Sequence, residues 1–297
     1  MEKAFKSLSI FEFQDQFPDD KSCRKYLAEI KWKRGFKCPK CGHTKYCNTK
    51  VELSRKCTKC SHTESVTAGT LFHQVKFPIR KAFWIVYYLS TNKKGIASTE
   101  LSRKLELRQK TCWLFKMKVM QAMKSSGKFL LEGNVEVDEF VVGGQEEGVR
   151  GRKNDKKKLV VVAIEKKGKG VSRAYAKVIT ASSSKNFKPF FEANISKEAN
   201  IRTDGWRGYS PLKEDFANLS QEKSGKKGEN FSPMHRWIMG FKSWLRGIHH
   251  HSKHLKYYLD EYCYRYNRSV MDGAIFENLI TRMVKAKPAP YLTIIGY

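Results

Sequence analysis

The order of hydrophobic and polar positions separates helical stretches from a strand-rich middle. Apolar residues recur at helical spacing in three stretches, residues 7–31, 66–127 and 233–268. The intervening part has strand patterns at 135–142, 159–164 and 172–179, then a helix from 184 to about 193 and a short strand at 201–203. Three consecutive strands, a helix and a further strand predict a mixed sheet with helices packed on it.

Residues 97–124 predict two helices joined by a short turn near Glu106–Arg108. The second helix mixes apolar residues with polar and basic ones, namely Gln109, Lys110, Thr111, Lys116 and Lys118. Such side chains suit contacts with the edges of bases and with phosphates, so the pattern favours a helix-turn-helix that binds DNA. A helical hairpin that merely packs against its neighbours is the alternative.

Two CxxC pairs predict a structural zinc site. Cys38 and Cys41 form the first pair, and Cys57 and Cys60 form the second on a facing hairpin. Four thiolates complete the tetrahedral shell that Zn²⁺ prefers and leave no position for water, so this metal would do no chemistry. The alternative, four buried thiols that pack as small apolar groups, fits poorly with the neighbouring Lys and Thr residues.

The charge of the chain narrows the class of partner. Its 58 Lys and Arg residues outnumber 29 Asp and Glu residues, which gives a formal net charge of +29 over 297 residues. Such an excess is typical of proteins that bind a polyanion, most often nucleic acid, although an anionic membrane surface is a rival. The sequence has no run of 18 apolar residues and no apolar signal-peptide core, so we expect a cytoplasmic, nucleoid-associated protein without a membrane span.

Two acidic residues stand out by their position. Asp138 lies inside an apolar strand, and Asp204 follows a short strand and precedes Gly205. A charge in such a place is costly unless it is paired or bound to a metal ion, although a lone Asp in a strand is more often structural. Two carboxylates from neighbouring strands would repel each other, and divalent Mg²⁺ would resolve that repulsion. The pair is therefore a candidate site for metal-dependent chemistry on phosphodiesters.

Several motifs together resemble one transposase family. They are the CPKCG ribbon at 38–42, SVTAGTLF at 65–72, VEVDEFVVGG at 135–144, IRTDGWRGY at 201–209, and the helical stretches 235–251 and 258–268. This combination, which covers nearly the whole chain, is similar to the IS1595-type (ISXO2-like) insertion-sequence transposases. The resemblance implies an RNase H-like core with a triad of metal ligands, and it maps the first two ligands onto Asp138 and Asp204.

The third ligand departs from the family pattern. Members carry Asn, Glu or His two residues before a lysine, and that lysine corresponds to Lys242, which the resemblance makes a catalytic residue that positions phosphate. The preceding slot holds Gly240, which cannot bind metal. Three readings stay open: two protein ligands suffice, His235 contributes, or this copy is inactive. The later acids Asp260 and Glu261 lie off the apolar stripe of their helix and predict surface contacts.

Basic residues flank the predicted site. Those before and within the second strand pattern include the predicted DNA contacts Arg150, Arg152, Lys153, Lys156 and Lys157. Arg246 and a run of histidines, His249–His251, follow the late helix. Because three consecutive side chains cannot all point one way, contacts with DNA are favoured over a metal site there.

The chain thus predicts an α/β fold in which a zinc ribbon and a helix-turn-helix segment precede an RNase H-like mixed sheet with flanking helices. We expect five segments: a helical lead-in (1–31), a zinc ribbon (32–65), a helix-turn-helix DNA-binding region (66–127), a catalytic domain (130–270) and a C-terminal tail (271–297). The predicted function is that of a DNA transposase that binds terminal inverted repeats of double-stranded DNA and cuts and joins strands. It would use structural Zn²⁺ and catalytic Mg²⁺ or Mn²⁺, and would act as a homodimer or higher assembly. A decayed or domesticated DNA-binding protein and a nuclease without strand transfer are the alternatives.

Overall fold

The computed structural model describes residues 8–92, 94–143, 157–168, 170–268 and 275–296, with residues 226 and 227 described by their backbone alone. The chain divides into two compact units, Met1–Ala122 together with Met271–Tyr297, and Met123–Val270. Among the described helices, none is both long and apolar enough to cross a lipid bilayer.

The α-helices are α1 (Ile10–Gln16), α2 (Asp20–Lys31), α3 (Ile79–Thr91), α4 (Ser98–Leu105), α5 (Gln109–Met123), α6 (Ser184–Asn194), α7 (Ser232–Ile248), α8 (Leu255–Tyr266), α9 (Ile275–Lys285) and α10 (Tyr291–Ile295). The strands are β1 (Tyr46–Asn48), β2 (Arg55–Cys57), β3 (Thr63–Glu64), β4 (Asn134–Val142), β5 (Lys158–Lys167), β6 (Gly170–Ile179), β7 (Asn200–Thr203) and β8 (Leu219–Gln221). Two 3₁₀ helices span Arg207–Glu214 and Lys226–Phe231.

Aromatic side chains build the helical core of the first unit. Phe13 of α1 and Phe17, the C-cap residue of that helix, contact Phe83 of α3 and Phe276 of α9. The ring centroids are 5.0 to 6.0 Å apart in the pairs Phe17–Phe83, Phe13–Phe276 and Phe83–Phe276. Asp20, the first residue of α2, accepts hydrogen bonds from the backbone N–H groups of Ile79 and Arg80, so its carboxylate caps the start of α3. The segment 271–297 thus includes a helix whose apolar face is part of this core.

The predicted helix-turn-helix elements are present as α4 and α5. Glu106, at the C-cap of α4, adopts a left-handed backbone conformation with φ of 52° and turns the chain into α5 within three residues. Gln109 and Lys110 are exposed at the start of α5, and the Gln109 side-chain amide donates to the hydroxyl of Ser98 at 2.7 Å. The start of α5 is therefore tied to the start of α4.

The structure corrects the prediction for Lys116. Its side chain is only 3% exposed, and its ammonium group donates to the carbonyl oxygen of Ile96. A buried ammonium group needs such a partner, and this one fixes the turn before α4. Lys116 therefore stabilises the helical unit and does not present its charge to DNA.

The second unit contains the predicted mixed sheet, which is confirmed. Within the described residues its strand order is β6-β5-β4-β7-β8, with β4, β5 and β6 antiparallel and with β4, β7 and β8 parallel. This is the RNase H-like arrangement that the sequence predicted, in which the first strand is central and the fourth lies beside it. Strand β8 had not been predicted, since it is only three residues long.

Helices cover both faces of this sheet. On one face, Val135 and Val137 of β4 pack with Phe187 and Phe191 of α6 and with Tyr209 of the first 3₁₀ helix. On the other face, Phe140 of β4 contacts Trp237 and Phe241 of α7, with ring centroids 6.4 and 5.9 Å away. Because side chains alternate along a strand, Asp138 points to the same face as Phe140, toward α7.

Candidate active site

The four predicted zinc ligands meet in the three-stranded ribbon of the described N-terminal region. Cys38 Sγ lies 3.5 Å from Cys60 Sγ, and Cys41 Sγ lies 3.6 Å from Cys57 Sγ; all four sulfurs are within 4.8 Å of one another. Sulfurs on a tetrahedral zinc ion, with Zn–S bonds of ~2.3 Å, are ~3.8 Å apart, so the spacing suits that metal. Among the described residues, these cysteines form the only such cluster of three or more metal-ligating side chains.

The ribbon favours the thiolate form at Cys57. Burial alone would raise the pKa of this thiol, but backbone N–H groups of Cys60 and Lys59 and the neighbouring sulfurs outweigh it and lower the pKa to about 6. Thiolate is the form that binds metal. A backbone hydrogen bond at His43 lowers the pKa of Cys41, but burial and the neighbouring sulfurs outweigh it and raise this pKa to about 12. The zinc assignment therefore rests on the geometry of the four sulfurs.

The two predicted catalytic carboxylates are brought side by side by the parallel pairing of β4 and β7. The strands are in register from Asn134 opposite Asn200 to Val137 opposite Thr203, and the next residue on each strand is Asp138 and Asp204. Neighbouring parallel strands are ~4.8 Å apart and in-register residues share a face. Both carboxylates are half-buried.

Backbone hydrogen bonds fix the loop that carries Asp204. The Asp204 carboxylate accepts from the backbone N–H of Trp206 at 3.0 Å, and the Asp138 carboxylate accepts from the backbone N–H of Glu139 at 2.8 Å. The Trp206 indole donates to the carbonyl of Ser182 at 3.0 Å. Each acid is thus held by one oxygen of its carboxylate, Asp138 within β4 and Asp204 directly after β7.

Lys242 of α7 lies over the same face of the sheet. Its ammonium nitrogen is 5.5 Å from the centroid of the Phe140 ring. Burial lowers the pKa of Lys242, and the charge of Asp138 opposes this shift. A half-buried ammonium group beside the carboxylate pair can bind a phosphate oxygen there.

A third carboxylate, that of Glu139, was not predicted from the sequence and directly follows Asp138 on β4. Glu139 accepts a hydrogen bond from the hydroxyl of Tyr209, which is fully buried and stacks on Phe187 with ring centroids 4.4 Å apart. Burial, then the charges of Glu139, Asp138 and Asp204, raise the pKa of Tyr209 well above its usual value. The phenol therefore remains a hydrogen-bond donor, and it supports β4 from the face opposite Asp138. An acid directly after Asp138, on the apolar face of the same strand, was the signal in the sequence.

An ion-paired network lies behind the carboxylates. Glu136 of β4 is fully buried, with Lys166 of β5 3.1 Å away and Arg202 of β7 3.8 Å away. Arg202 also bonds to Glu222 at 2.8 Å, donates to the carbonyl oxygen of Asn230 at 3.0 Å, and lies 5.1 Å from the Phe231 ring. This arginine thus joins the central strands to the chain that leads directly into α7.

The structure places the Gly240 position away from the carboxylates. A Cβ atom on Gly240 would lie 2.8 Å from the hydroxyl oxygen of Tyr262, which belongs to α8. Lys242, two residues later, is about 200° further around a helix of 3.6 residues per turn and faces β4 instead. A side chain at position 240 would therefore point at α8.

The later acids are not surface groups, contrary to the sequence-based interpretation. Glu261 is fully buried, with Arg265 at 2.8 Å and His249 at 3.5 Å. Burial raises the pKa of Asp260 to about 7, and the charges of Lys124 and Lys256 oppose this. These residues serve the packing of α8.

Only part of the predicted basic flank falls within the described residues. Arg150, Arg152, Lys153 and Lys156 lie outside them. Lys157 and Arg246 are described, and both line a cleft that also includes Lys242.

Comparison with known proteins follows the same division of the chain. Residues 130–267 match the ISXO2-like transposase domain, and residues 18–63 match the transposase zinc-ribbon domain of the same IS1595 group. The chain is 26% identical over 223 residues to an uncharacterized protein in transposable element ISH50 of Halobacterium salinarum, which covers 68% of this chain and 72% of that protein. A chain of a solved pre-cleavage Mos1 transpososome is 12% identical to this chain. The match covers 69% of this chain and 78% of that one, with a TM-score of 0.23.

The zinc ribbon and the domain that contains the sheet both match transposase family models. Since both the ribbon and the sheet-containing domain match one group, the chain belongs to the IS1595-type, ISXO2-like transposases.

Proposed function

We propose that this chain is an active transposase that binds the ends of its element, cuts the DNA there and joins the freed ends to target DNA. The observation that carries the proposal is the parallel register of β4 and β7, which ends at Val137 opposite Thr203 and is followed directly by Asp138 on β4 and by Asp204 after β7, with Lys242 over the same face. We assign recognition of the ends to the ribbon (32–65) and the helix-turn-helix region (66–127), and catalysis to residues 130–270.

The donor set fits a divalent cation. Two carboxylates on adjacent strands repel each other, and hard oxygen ligands are the ones that Mg²⁺ and Mn²⁺ prefer. Asp138 and Asp204 would hold such ions, which when bound supply Lewis-acid stabilisation of the charge that develops on a phosphodiester.

The residues of the chain would orient two successive displacements. In the first, water forms a bond to phosphorus at the element end and the bond to the 3′ oxygen breaks, which frees a 3′ hydroxyl. In the second, that hydroxyl forms a bond to a target phosphorus and the target's own 3′ oxygen leaves. Lys242 would hold a non-bridging phosphate oxygen in both steps. Gln109 and Lys110, exposed at the start of α5, would contact the duplex of the element end. Because two ends must be joined to one target, we expect at least a dimer in the active complex.

We propose His235 as the third metal ligand on the ground of helical register. In the structure its Nε2 atom lies 2.5 Å from where a Cβ atom on Gly228 would be, so the ring would have to turn toward the carboxylates to bind a metal ion. His235 lies seven residues before Lys242 on α7, which is close to two turns, so both side chains leave the same face of the helix. Position 240 leaves the opposite face and meets Tyr262. A neutral imidazole is a common ligand for divalent transition metals.

Replacing His235 with Ala should reduce metal-dependent cleavage by about a hundredfold, which corresponds to roughly 3 kcal/mol of lost transition-state stabilisation. The readout is the single-turnover cleavage rate in Mg²⁺ and in Mn²⁺, and binding of end DNA should be unchanged. Gly240→Asn separates the two assignments: it should not raise the rate, and the clash with Tyr262 should destabilise the fold by about 1–3 kcal/mol. A faster Gly240→Asn enzyme together with an unaffected His235→Ala enzyme would reverse the assignment.

The proposed activity itself is tested by a strand-transfer assay. Duplexes copied from the terminal repeats that flank the gene are incubated with the protein in Mg²⁺ or Mn²⁺, with EDTA as the blank. Joined products that depend on the metal are the expected result. Cleavage without joined products would instead identify an RNase H-like nuclease, and tight binding without cutting would identify a decayed transposase that only binds DNA.

A further inference from the structure

A basic cleft lies between the end of β4 and the C-terminal half of α7. Its volume is about 580 Å³, and within the described part of the chain it is lined by Val141, Val142, Gly143, Lys157, Lys242, Leu245, Arg246, His250, His251 and Ser252. Lys242 belongs both to this lining and to the surroundings of Asp138. Lys242 is therefore the residue that the cleft shares with the proposed site of cleavage.

The end of α7 divides the three consecutive histidines. His249 is turned inward: its ring stacks on Tyr258 with centroids 3.7 Å apart, and its Nε2 atom is 3.5 Å from a carboxylate oxygen of buried Glu261. His250 and His251, by contrast, are exposed and line the cleft. One histidine thus anchors the turn while the next two face the solvent-filled space.

The turn holds His250 in a conformation that a histidine rarely adopts. Its φ is +57°, in the left-handed region where glycine is favoured, and its N–H closes α7 by donating to the carbonyl of Leu245 at 3.1 Å. Such backbone strain, which costs of order 1–3 kcal/mol, is concentrated at functional sites. Glycine would adopt this φ without steric strain, so we attribute the presence of histidine at this position to its imidazole side chain.

The carbonyl groups of the same loop are already occupied. The ammonium group of Lys158 at the start of β5 donates to the carbonyl oxygens of Ser252 and Lys253 at 2.7 and 3.0 Å. The loop is thereby pinned to the sheet, and two of its acceptors are neutralised. The side chains that the loop and α7 present to the cleft are donors.

The charge of the lining selects the ligand class. Lys157, Lys242 and Arg246 carry three positive charges, the two imidazoles add N–H donors, and no carboxylate is among the described lining residues. A volume of this size lies within the range of ligand pockets, ~300–1,000 Å³, and suits a stretch of sugar-phosphate backbone more than a single small ion. Phosphate oxygens match such a set of donors.

We propose that this cleft binds the backbone phosphate next to the scissile one, with Arg246 and His250 as its main donors and Lys242 at the border between the two phosphates. The inference rests on the proposed function, since it takes the carboxylate pair as the point of cleavage. It goes further by assigning a phosphate subsite to His250 and His251 and a structural role to His249.

The test uses the full chain and duplex DNA in EDTA, so that binding is measured without cleavage. Arg246→Ala and His250→Gly should each weaken binding by about five- to tenfold, and Arg246→Ala, which removes a fixed positive charge, should also lower the slope of log affinity against log salt by about one phosphate contact. His250→Gly is chosen because glycine accepts the φ of this position, so the fold is retained. Lys177→Ala, which removes an exposed charge from β6, is the matched control and should bind as the wild type does.

Neutral methylphosphonates placed one at a time around the cleavage point locate the contact. In the wild type, one position next to the scissile phosphate should be sensitive, and the same substitution should have no further effect on Arg246→Ala. Wild-type affinity in both cleft variants, together with a wild-type salt slope in Arg246→Ala, would overturn the subsite and leave the proposed function standing. Absence of DNA binding by the wild type would overturn the proposed function itself.

Discussion

Changing Asp138 or Asp204 to Asn is expected to abolish DNA cleavage and joining while DNA binding persists. Each carboxylate is one of an adjacent pair, and an amide of the same shape removes the charge that a divalent cation requires. Loss of about 4 kcal/mol of transition-state stabilisation corresponds to roughly a thousandfold lower rate. Single-turnover cleavage of end DNA measures the rate, and a gel-shift titration in EDTA measures binding. Asp215→Asn is the control, because Asp215 pairs with Lys188 at 2.7 Å outside the site and should leave cleavage unchanged.

A thermal measurement tests the same assignment without DNA. In EDTA, either variant should melt at or above the temperature of the wild type, because one of two repelling carboxylates has been neutralised. Added Mn²⁺ should stabilise the wild type, as any ligand that binds only the folded state does, but not the variants. If the Asp138→Asn protein still cuts DNA at the wild-type rate, or is still fully stabilised by Mn²⁺, Asp138 is not a ligand of the catalytic metal ion.

The hydrophobic pattern was sufficient to predict the elements that carry this site. Val135, Val137, Phe140, Val141 and Val142 make β4 rich in β-branched and aromatic residues, and a run of this kind predicts a buried strand. The same reasoning missed helix α9, although Phe276, Leu279, Ile280 and Met283 recur at helical spacing and are all buried. Strand β8 has too few residues to carry a period at all.

The positions of side chains across the sheet could not be predicted in the same way. Gly240 had no neighbour in the sequence that would reveal Tyr262, which comes from the next helix and occupies the space where a side chain would go. Lys116 has the composition of a DNA contact, yet its ammonium group binds a carbonyl 20 residues away. Both depend on tertiary packing, which a local pattern does not encode.

The clearest sequence signal, the four cysteines, also supports the second large prediction. Zinc removal should unfold the ribbon, because β1, β2 and β3 have only three, three and two residues and the buried cluster there consists of Phe36, Cys38 and Cys57. Strands this short are not stable alone, and structural zinc supplies an apparent ~10–16 kcal/mol of binding free energy in small zinc domains.

The expected result is that Cys57→Ser protein loses its bound zinc and that its ribbon becomes sensitive to protease, whereas the Met123–Val270 unit stays resistant. Zinc content by atomic absorption and limited proteolysis measure the two effects. Cys47→Ser is a matched control, since the exposed Cys47 thiol bonds only to the carbonyl of Lys56 among its described contacts and lies outside the quartet. The four sulfurs fill the coordination shell of the zinc ion and leave no place for a reacting water. Zinc loss should therefore weaken the binding of end DNA much more than it slows hydrolysis by the protein–DNA complexes that still form. One zinc per chain in the Cys57→Ser protein, or equal loss in the Cys47→Ser protein, would contradict the four-cysteine site.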